Sequence, residues 1–262
     1  MSVMQKRLYL NLGLFGLLIG LIVIVMGLPK TETIKAALVT IASEQIYRIQ
    51  ISKPDAKEPI ILVKQSNVWY MQQPKQALVN PIRMAQLLTL TNEAVETDYD
   101  VLDKNLSVFG LTPAHVSLQI NEQRYDFGSL NPVSKQRYIL NNGRLKLVSE
   151  GVDSLLTGSV FDWIDLQLVP ESVPIKTVLL PTGYRQIPEL KQNWQSANAV
   201  RLTACTGQEP QKGTIELTLS NAQVLRYLWL QTANDELVLC NAALGLSYIL
   251  PRQQQKYLLV KE

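Results

Sequence analysis

The longest apolar run of the chain lies near its start. From Leu8 to Leu28 its 21 residues include one clearly polar side chain, Asn11. As an α-helix this run would be about 31 Å long, close to the hydrocarbon thickness of a bilayer, about 30 Å. The pattern therefore predicts a transmembrane helix over 8–28. A cleaved signal peptide is the alternative, but its apolar region would be about 7–15 residues long and would end at small residues that are missing here.

Charges around this run predict its orientation. Lys6 and Arg7 precede it, so the positive-inside rule places a tail over 1–7 in the cytoplasm and the residues after Pro29 outside. Lys30 and Lys35 on the other side weaken the contrast. The body of the protein is therefore expected to be extracytoplasmic.

Small residues lie on the predicted membrane helix. Gly16 and Gly20 form a pair with the spacing that lets two membrane helices approach closely, and Gly13 extends it. One hypothesis is therefore a homo-oligomeric structural membrane protein that assembles through these glycines. The alternative is that they reflect the general frequency of glycine in membrane helices.

Beyond a predicted linker over 29–43, apolar and polar positions alternate with a period of two, which is typical of half-buried strands. A helix is predicted after Asn80, because Pro81 suits a first helical position and an apolar stripe follows. The predicted fold class is α+β, with short antiparallel strands and a few helices. The predicted strands of the first part cover 46–51, 60–63, 68–71, 116–120, 124–127, 136–140 and 144–148.

A boundary near Val169 and Pro170 predicts two parts, an α+β domain over 44–169 and a β-rich domain over 170–262. The second part resembles a degenerate repeat of the first, and chance similarity is the alternative. The similar segments are strands 46–51 and 175–180, strands 116–120 and 214–219, Lys64 to Trp69 and Lys191 to Trp194, and Asn80 to Met84 and Asn198 to Leu202.

Charge argues against one class of partner. The formal net charge is +3, and no basic run is longer than the pair Lys6 and Arg7. Nucleic-acid binding domains usually carry a basic stripe or patch. We therefore expect no nucleic-acid partner.

Cys205 and Cys240 are the two cysteines of the chain. Outside the cytoplasm the environment is oxidising, so a disulfide is predicted between them. Closing a loop of about 35 residues would stabilise the fold by roughly 3–4 kcal/mol in the chain-entropy model. Two buried free thiols are the alternative.

Residues with catalytic potential are few. The one histidine, His115, follows Pro113 at the start of a strand, and neither phosphate-binding nor zinc-protease motifs occur. No catalytic residue, cofactor or metal site is therefore predicted. The alternative is a periplasmic carbohydrate-binding protein or hydrolase that uses Asp162, Trp163 and Asp165, although acids of this kind usually cap helices or face solvent.

The order of these elements resembles the bacterial family that carries the domain of unknown function 4340. The resemblance covers about residues 44–160. Its motifs are Ile46/Ile49/Ile51, Trp69-Tyr70, the helix over Asn80 to Leu90, Phe109-Gly110-Leu111-Thr112-Pro113, Tyr125-Asp126-Phe127-Gly128 and Arg137-Tyr138-Ile139.

The resemblance implies a bacterial inner-membrane protein with a periplasmic body. Some relatives in this family are similar to auxiliary proteins of gliding-motility-type ABC transport systems, which implies a protein partner in the membrane or periplasm. The expected function is a non-enzymatic binding or scaffolding module of an envelope complex. The second half lacks another Phe-Gly-Leu turn, so a role that needs a full tandem array is not implied.

Overall fold

The computed structural model describes residues 11–21, 36–101, 105–149, 151–232 and 236–261. The chain separates into two units, residues 1–35 and 36–262. In the first unit, residues 11–21 form helix α1. No helix within the described ranges is both long and apolar enough to cross a membrane. The ends of the predicted span over 8–28, the whole predicted tail over 1–7 and the first part of the linker lie outside the described residues.

The second unit contains two antiparallel sheets, which confirms the predicted α+β class. The first sheet has the strand order β4-β3-β2-β1-β6-β7-β8-β9-β5. All of its neighbouring strands pair antiparallel. Its strands are β1 (Arg48–Ser52), β2 (Ile60–Gln65), β3 (Val68–Gln73), β4 (Ala77–Leu78), β5 (Thr97–Asp100), β6 (Val116–Ile120), β7 (Gln123–Leu130), β8 (Arg137–Asn141) and β9 (Arg144–Val148).

The second sheet has six strands in the order β10-β12-β13-β14-β15-β11. Its pairs are also antiparallel. Its strands are β10 (Ile175–Leu179), β11 (Arg201–Ala204), β12 (Gln211–Leu219), β13 (Val224–Leu230), β14 (Leu237–Asn241) and β15 (Leu246–Leu250).

Short helices connect and cover these strands. They are α2 (Pro81–Thr91), α3 (Val152–Thr157), α4 (Leu190–Gln195) and α5 (Arg252–Leu258). Helix α2 begins where the sequence predicts, because the Asn80 side chain accepts hydrogen bonds from the amides of Ile82 and Arg83. Helix α2 packs against α3, and α4 packs against α5.

The Phe-Gly-Leu turn fixes one end of the first sheet. A 3₁₀ turn over Leu106–Phe109 ends at Gly110, whose φ of 66° is left-handed. The Phe109 ring packs edge-on against Tyr138 at 4.9 Å between centroids. A Cβ at Gly128 would overlap the carbonyl oxygen of Phe109. The turn therefore depends on a glycine in the neighbouring strand as well as on its own.

The two sheets share a strand order. In each half, a first strand pairs with the first strand of a four-strand meander, and the strand after a helix pairs with the last strand of that meander. A short helix then follows the meander, α3 in the first half and α5 in the second. The first half differs by the strands β2, β3 and β4, inserted before its helix.

Isolated backbone bridges repeat in the same way. A residue ahead of the first strand bridges a residue after the first helix, Ala37 to Ala94 in one half and Gln167 to Asn198 in the other. A residue ahead of that helix also bridges one near the end of the half, Val79 to Ile164 and Tyr184 to Lys261. Apart from the inserted strands β2, β3 and β4, the strands and helices of the two halves therefore follow the same order.

The residue similarities expected from the sequence do not coincide with this match. Trp69 lies on β3, which has no counterpart in the second half, whereas Trp194 lies on α4. Asn80 caps a helix, but Asn198 precedes strand β11. The expected correspondences of strands 46–51 with 175–180 and of 116–120 with 214–219 do coincide with equivalent strands.

One hydrophobic core cluster extends through both sheets. Its fully buried large side chains come from the first half, such as Phe127, from the connection, such as Trp163, and from the second half, such as Trp194 and Tyr227. A smaller cluster lies on the second sheet around Cys240.

The predicted disulfide is confirmed. Cys205 and Cys240 are bonded, with their Cα atoms 6.1 Å apart. The bond joins the residue after β11 to strand β14, and it lies in the smaller core cluster with Leu230, Val238 and Ile249. The cross-link therefore ties an edge of the second sheet to its middle.

Candidate binding cleft between the two sheets

The chain crosses from one half to the other through residues 163–168, called here the connecting segment. On one side, its Asp165 amide donates to the Leu78 carbonyl at 2.9 Å, and the Asn80 amide donates to its Trp163 carbonyl. On the other side, the Ala199 amide donates to the carbonyl of Leu166 at 2.9 Å. The segment is therefore fixed to both halves by backbone hydrogen bonds.

A cleft of about 210 Å³ opens beside the connecting segment. The end of β4 forms one wall and the inner face of the second sheet forms the other. Most of the lining is apolar, and a few polar groups converge on it. The lining residues used below are Gln76, Ala77, Asp165, Leu225, Tyr227 and Tyr248.

Asp165 is the acidic group of this cleft. Its Oδ1 accepts a hydrogen bond from the Gln167 amide at 3.3 Å. Burial raises the pKa of its carboxyl, partly offset by the amides of Gln167 and Leu166, and the nearby charge of Glu171 raises it further. Within the described residues, no basic side chain forms an ion pair with Asp165.

Two tyrosines form the inner wall. Their rings, Tyr227 and Tyr248, pack edge to face with centroids 5.8 Å apart. The Tyr227 hydroxyl donates to the carbonyl of Leu168 in the connecting segment. Burial raises the pKa of Tyr227 well above its ordinary value and that of Tyr248 to about 12. Both hydroxyls therefore stay protonated at neutral pH and serve as hydrogen-bond donors rather than bases.

A second pocket, of about 360 Å³, lies on the outer face of the second sheet. Beside this pocket, the ladder between β13 and β14 consists of two residue pairs, Leu228 with Cys240 and Trp229 with Leu239. Residues 224–227 of β13 extend beyond this ladder, opposite the turn over 242–245. These two stretches, called here the open stretch and the facing turn, are the rims of the pocket.

The two pockets meet at the gap between these rims. Gln223, Leu225, Asn241 and Leu244 line both of them. At the rims, the apolar side chains of Val224 and Leu244 are 51% and 41% exposed. The two pockets are therefore adjacent, and together, from the outer face of the second sheet to Asp165, they are called here the groove.

The three residues of the hydrolase alternative do not line a common pocket. Asp162 accepts from the backbone amide of Ser159 and completes a capping box. Trp163 is 0% exposed, so its ring is not a platform for a sugar. Only Asp165 reaches the cleft.

Asp162 belongs instead to a structural cluster. Arg83 donates to the Leu155 carbonyl at 2.7 Å, and Lys53 donates to the carbonyls of Thr157 and Gly158. These carbonyls lie at the end of α3, where a helix favours positive charge. Burial lowers the pKa of Lys53 and the nearby Asp162 partly restores it. The cluster therefore stabilises a helix end.

Other residues singled out in the sequence are structural or stay predictions. Gly16 and Gly20 lie on α1, where an added Cβ would meet no atom within 4 Å, so their role in helix pairing stays a prediction. Within the described ranges, no group of three or more His, Cys, Asp and Glu side chains is arranged to hold a metal ion.

No protein-family model, curated protein or solved structure matches the chain. The cleft itself was not predicted from the sequence. Its acid and its tyrosines lie more than 60 residues apart along the chain, and no spacing rule joins them. Of the cleft residues, the sequence singles out Asp165 alone, because it is an acid that lies close along the chain to another acid, Asp162, and to an aromatic residue, Trp163.

Proposed function

We propose that the protein is a non-enzymatic, single-pass inner-membrane protein whose periplasmic body binds a protein partner in an envelope complex. One observation carries this proposal: the groove joins a stretch of β13 that is not paired on its β14 side to an acid in an apolar cleft. Such a combination of backbone groups and a specific pocket suits recognition of a protein segment. The residues over 170–262 contribute most of this site.

The membrane location is supported by the apolar run over 8–28, of which residues 11–21 are helical. Lys6 and Arg7 before it favour a cytoplasmic N-terminus. The disulfide between Cys205 and Cys240 is typical of a protein outside the cytoplasm. The periplasm of a bacterium fits both features.

The chemistry of the cleft favours binding over catalysis. Its tyrosines are held protonated by burial, and Asp165 is the one carboxylate among the described residues that line it. An acid and base with opposed pKa shifts, as general acid–base catalysis needs, are not paired there. A half-buried acid beside apolar walls is suited to hold a cationic group.

The repeated topology supports a further part of the proposal. We take the halves as degenerate repeats, since their strand order, helices and isolated bridges match. A relationship to the family with the domain of unknown function 4340 rests on the motifs over 44–160. That relationship favours an ABC-type transporter as the partner.

The experiment that tests this function is gentle detergent extraction of the tagged full chain from its native membrane, followed by mass spectrometry. Residues 1–35 with the same tag serve as the control. We expect stoichiometric recovery of membrane transport subunits with the full chain and none with the control. Recovery of the full chain alone over several mild detergents would contradict the proposal.

A charge-reversed variant sharpens the test. Asp165→Lys places a cation in the cleft without altering the predicted anchor. We expect it to lose the partner while the protein remains in the membrane. Retention of the partner at the wild-type ratio would show that the cleft is not its binding site.

A further inference from the structure

We propose that the groove binds an extended peptide segment of the partner, which pairs with the open stretch of β13 and inserts a lysine side chain beside Asp165. This inference rests on the proposed function and names the chemistry of the partner. The occupant is a strand with a basic residue flanked by apolar residues.

The backbone of the open stretch faces the groove. The Leu219 amide donates to the Gln223 carbonyl, so this carbonyl points toward β12, whereas the Gln223 amide donates to the Asn221 side chain. In an antiparallel pair this direction alternates, so residues 225 and 227 also point toward β12. The backbone groups of Val224 and Arg226 therefore point the other way, toward the gap where β14 is not paired.

A strand in this gap would project its side chains alternately into the two pockets. Successive side chains of a strand point to opposite faces of the sheet. Leu225 and Tyr227 line the inner cleft, whereas Val224, Arg226 and Leu228 line the outer pocket. A residue opposite Leu225 or Tyr227 would therefore reach the cleft, and its two neighbours would occupy the apolar outer pocket.

Charge selects the inward residue. Asp165 is the one carboxylate among the described residues that line the cleft, the charge of Glu171 acts on it from nearby, and no described basic side chain forms an ion pair with Asp165. Two described cations near the groove have other partners. Arg226 contacts Glu216 at 2.7 Å, and Lys75 donates to the Leu244 carbonyl at 3.2 Å. A lysine ammonium on a long apolar stem fits an apolar cleft that ends in a carboxylate.

The test uses the full chain in mild detergent and a fluorescein-labelled probe with the capped sequence Thr-Val-Lys-Val-Thr. Binding is measured by fluorescence anisotropy. We expect this probe to bind about tenfold more tightly than the same peptide with methionine in place of lysine, since the lysine forms a charged hydrogen bond in a partly buried site. Asp165→Asn should remove that preference.

N-methylation of the probe tests the backbone pairing. The inward lysine lies opposite a residue that bonds to β12, so its own amide points away from β13, and the two valine amides point toward β13. Methylation of both valine amides should abolish binding, and methylation of the lysine amide should leave it within about twofold. Asp98→Asn is the matched protein control, because Asp98 is an exposed acid on the first sheet. This variant should leave the affinity for the probe unchanged.

The inference would be overturned by absence of probe binding, by binding that does not depend on the position of the methyl groups, or by a lysine preference that survives Asp165→Asn. Displacement of the probe by n-butylamine at equal affinity would also overturn it in favour of a small amine ligand. If the probe fails but transport subunits are still recovered with the full chain, the function stands without this site. If the probe binds but no partner is recovered, the envelope-complex function fails alone.

Discussion

At the scale of single residues, glycine and aspartate positions show how close packing and burial decide local stability. Gly128 lies under the Phe-Gly-Leu turn, where a side chain would meet the Phe109 carbonyl. Because a backbone oxygen cannot move aside as a flexible side chain can, we expect Gly128→Ala to destabilise the fold by about 2–3 kcal/mol.

Thermal or denaturant unfolding measures this effect. Gly143→Asn is the control, because Gly143 has a left-handed φ of 73° with open space around it and asparagine tolerates that conformation. We expect this control to remain near wild type. Equal stability of Gly128→Ala and wild type would contradict the close approach.

The raised pKa of Asp165 predicts a pH effect. The folded state holds the Asp165 proton more tightly than the unfolded state, so ionisation of this group lowers stability as pH rises through its folded pKa. Asp165→Asn should therefore be more stable than wild type at pH 7. The difference should shrink as pH falls below that window, because the wild-type carboxyl becomes neutral.

Urea unfolding of wild type and of Asp165→Asn at about five pH values between about pH 3 and pH 7 measures this difference in stability. Asp98→Asn should lack the gain, because Asp98 pairs with Arg144 at 2.8 Å and loses that contact. A stability loss in Asp165→Asn at pH 7 would show that the ionised carboxylate has a stabilising partner.

At the scale of elements, the disulfide links strands that are not neighbours in the second sheet. Cys205 and Cys240 are 35 residues apart, and the loop between them includes all of β12 and β13. The double variant Cys205→Ala and Cys240→Ala should lose about 3–4 kcal/mol, since the unfolded chain regains its loop entropy.

Comparison of denaturant midpoints with and without a reducing agent checks this expectation. The reductant should bring wild type close to the variant and leave the variant itself unchanged. A reductant-insensitive wild type would mean that the cross-link does not form in the membrane-extracted protein.

The elements also show what a sequence can and cannot predict. Strand β6 was predicted because Val116, Leu118 and Ile120 alternate with polar residues, and burial follows the same alternation. The start of α2 was predicted from Asn80 and Pro81, since a cap acts within a few residues. These features depend on neighbours along the chain.

The cleft depends on neighbours in space. Asp165, Tyr227 and Tyr248 come together only because the connecting segment lies against the second sheet, and no period or spacing encodes this arrangement. The sequence indicates the correspondence of the two halves for some strands but not for single residues. Equivalent positions such as Val79 and Tyr184 differ in residue type, and what they have in common is that each forms a backbone bridge to a residue near the end of its own half.

At the scale of the whole body, one core connects both sheets. Side chains from Phe127 in the first sheet to Tyr227 in the second belong to a single cluster. We therefore expect residues 36–261 to unfold in one cooperative transition rather than as the two domains predicted over 44–169 and 170–262.

Hydrogen exchange of the full chain at increasing denaturant, read by mass spectrometry, distinguishes these cases. Amides of β7 and β13 should become exchangeable at the same denaturant concentration. Earlier opening of one sheet would show two independently stable domains.

The inserted strands β2, β3 and β4 make the two halves structurally different, and this difference affects the proposed binding site. Two identical halves would present equivalent faces to each other. Among the described residues, only the first half has these strands, and β4 (Ala77–Leu78) and the preceding Gln76 line the cleft together with the tyrosines. The insertion thus gives two similar halves different roles in the proposed binding site, with one half providing a supporting wall and the other the proposed recognition surface.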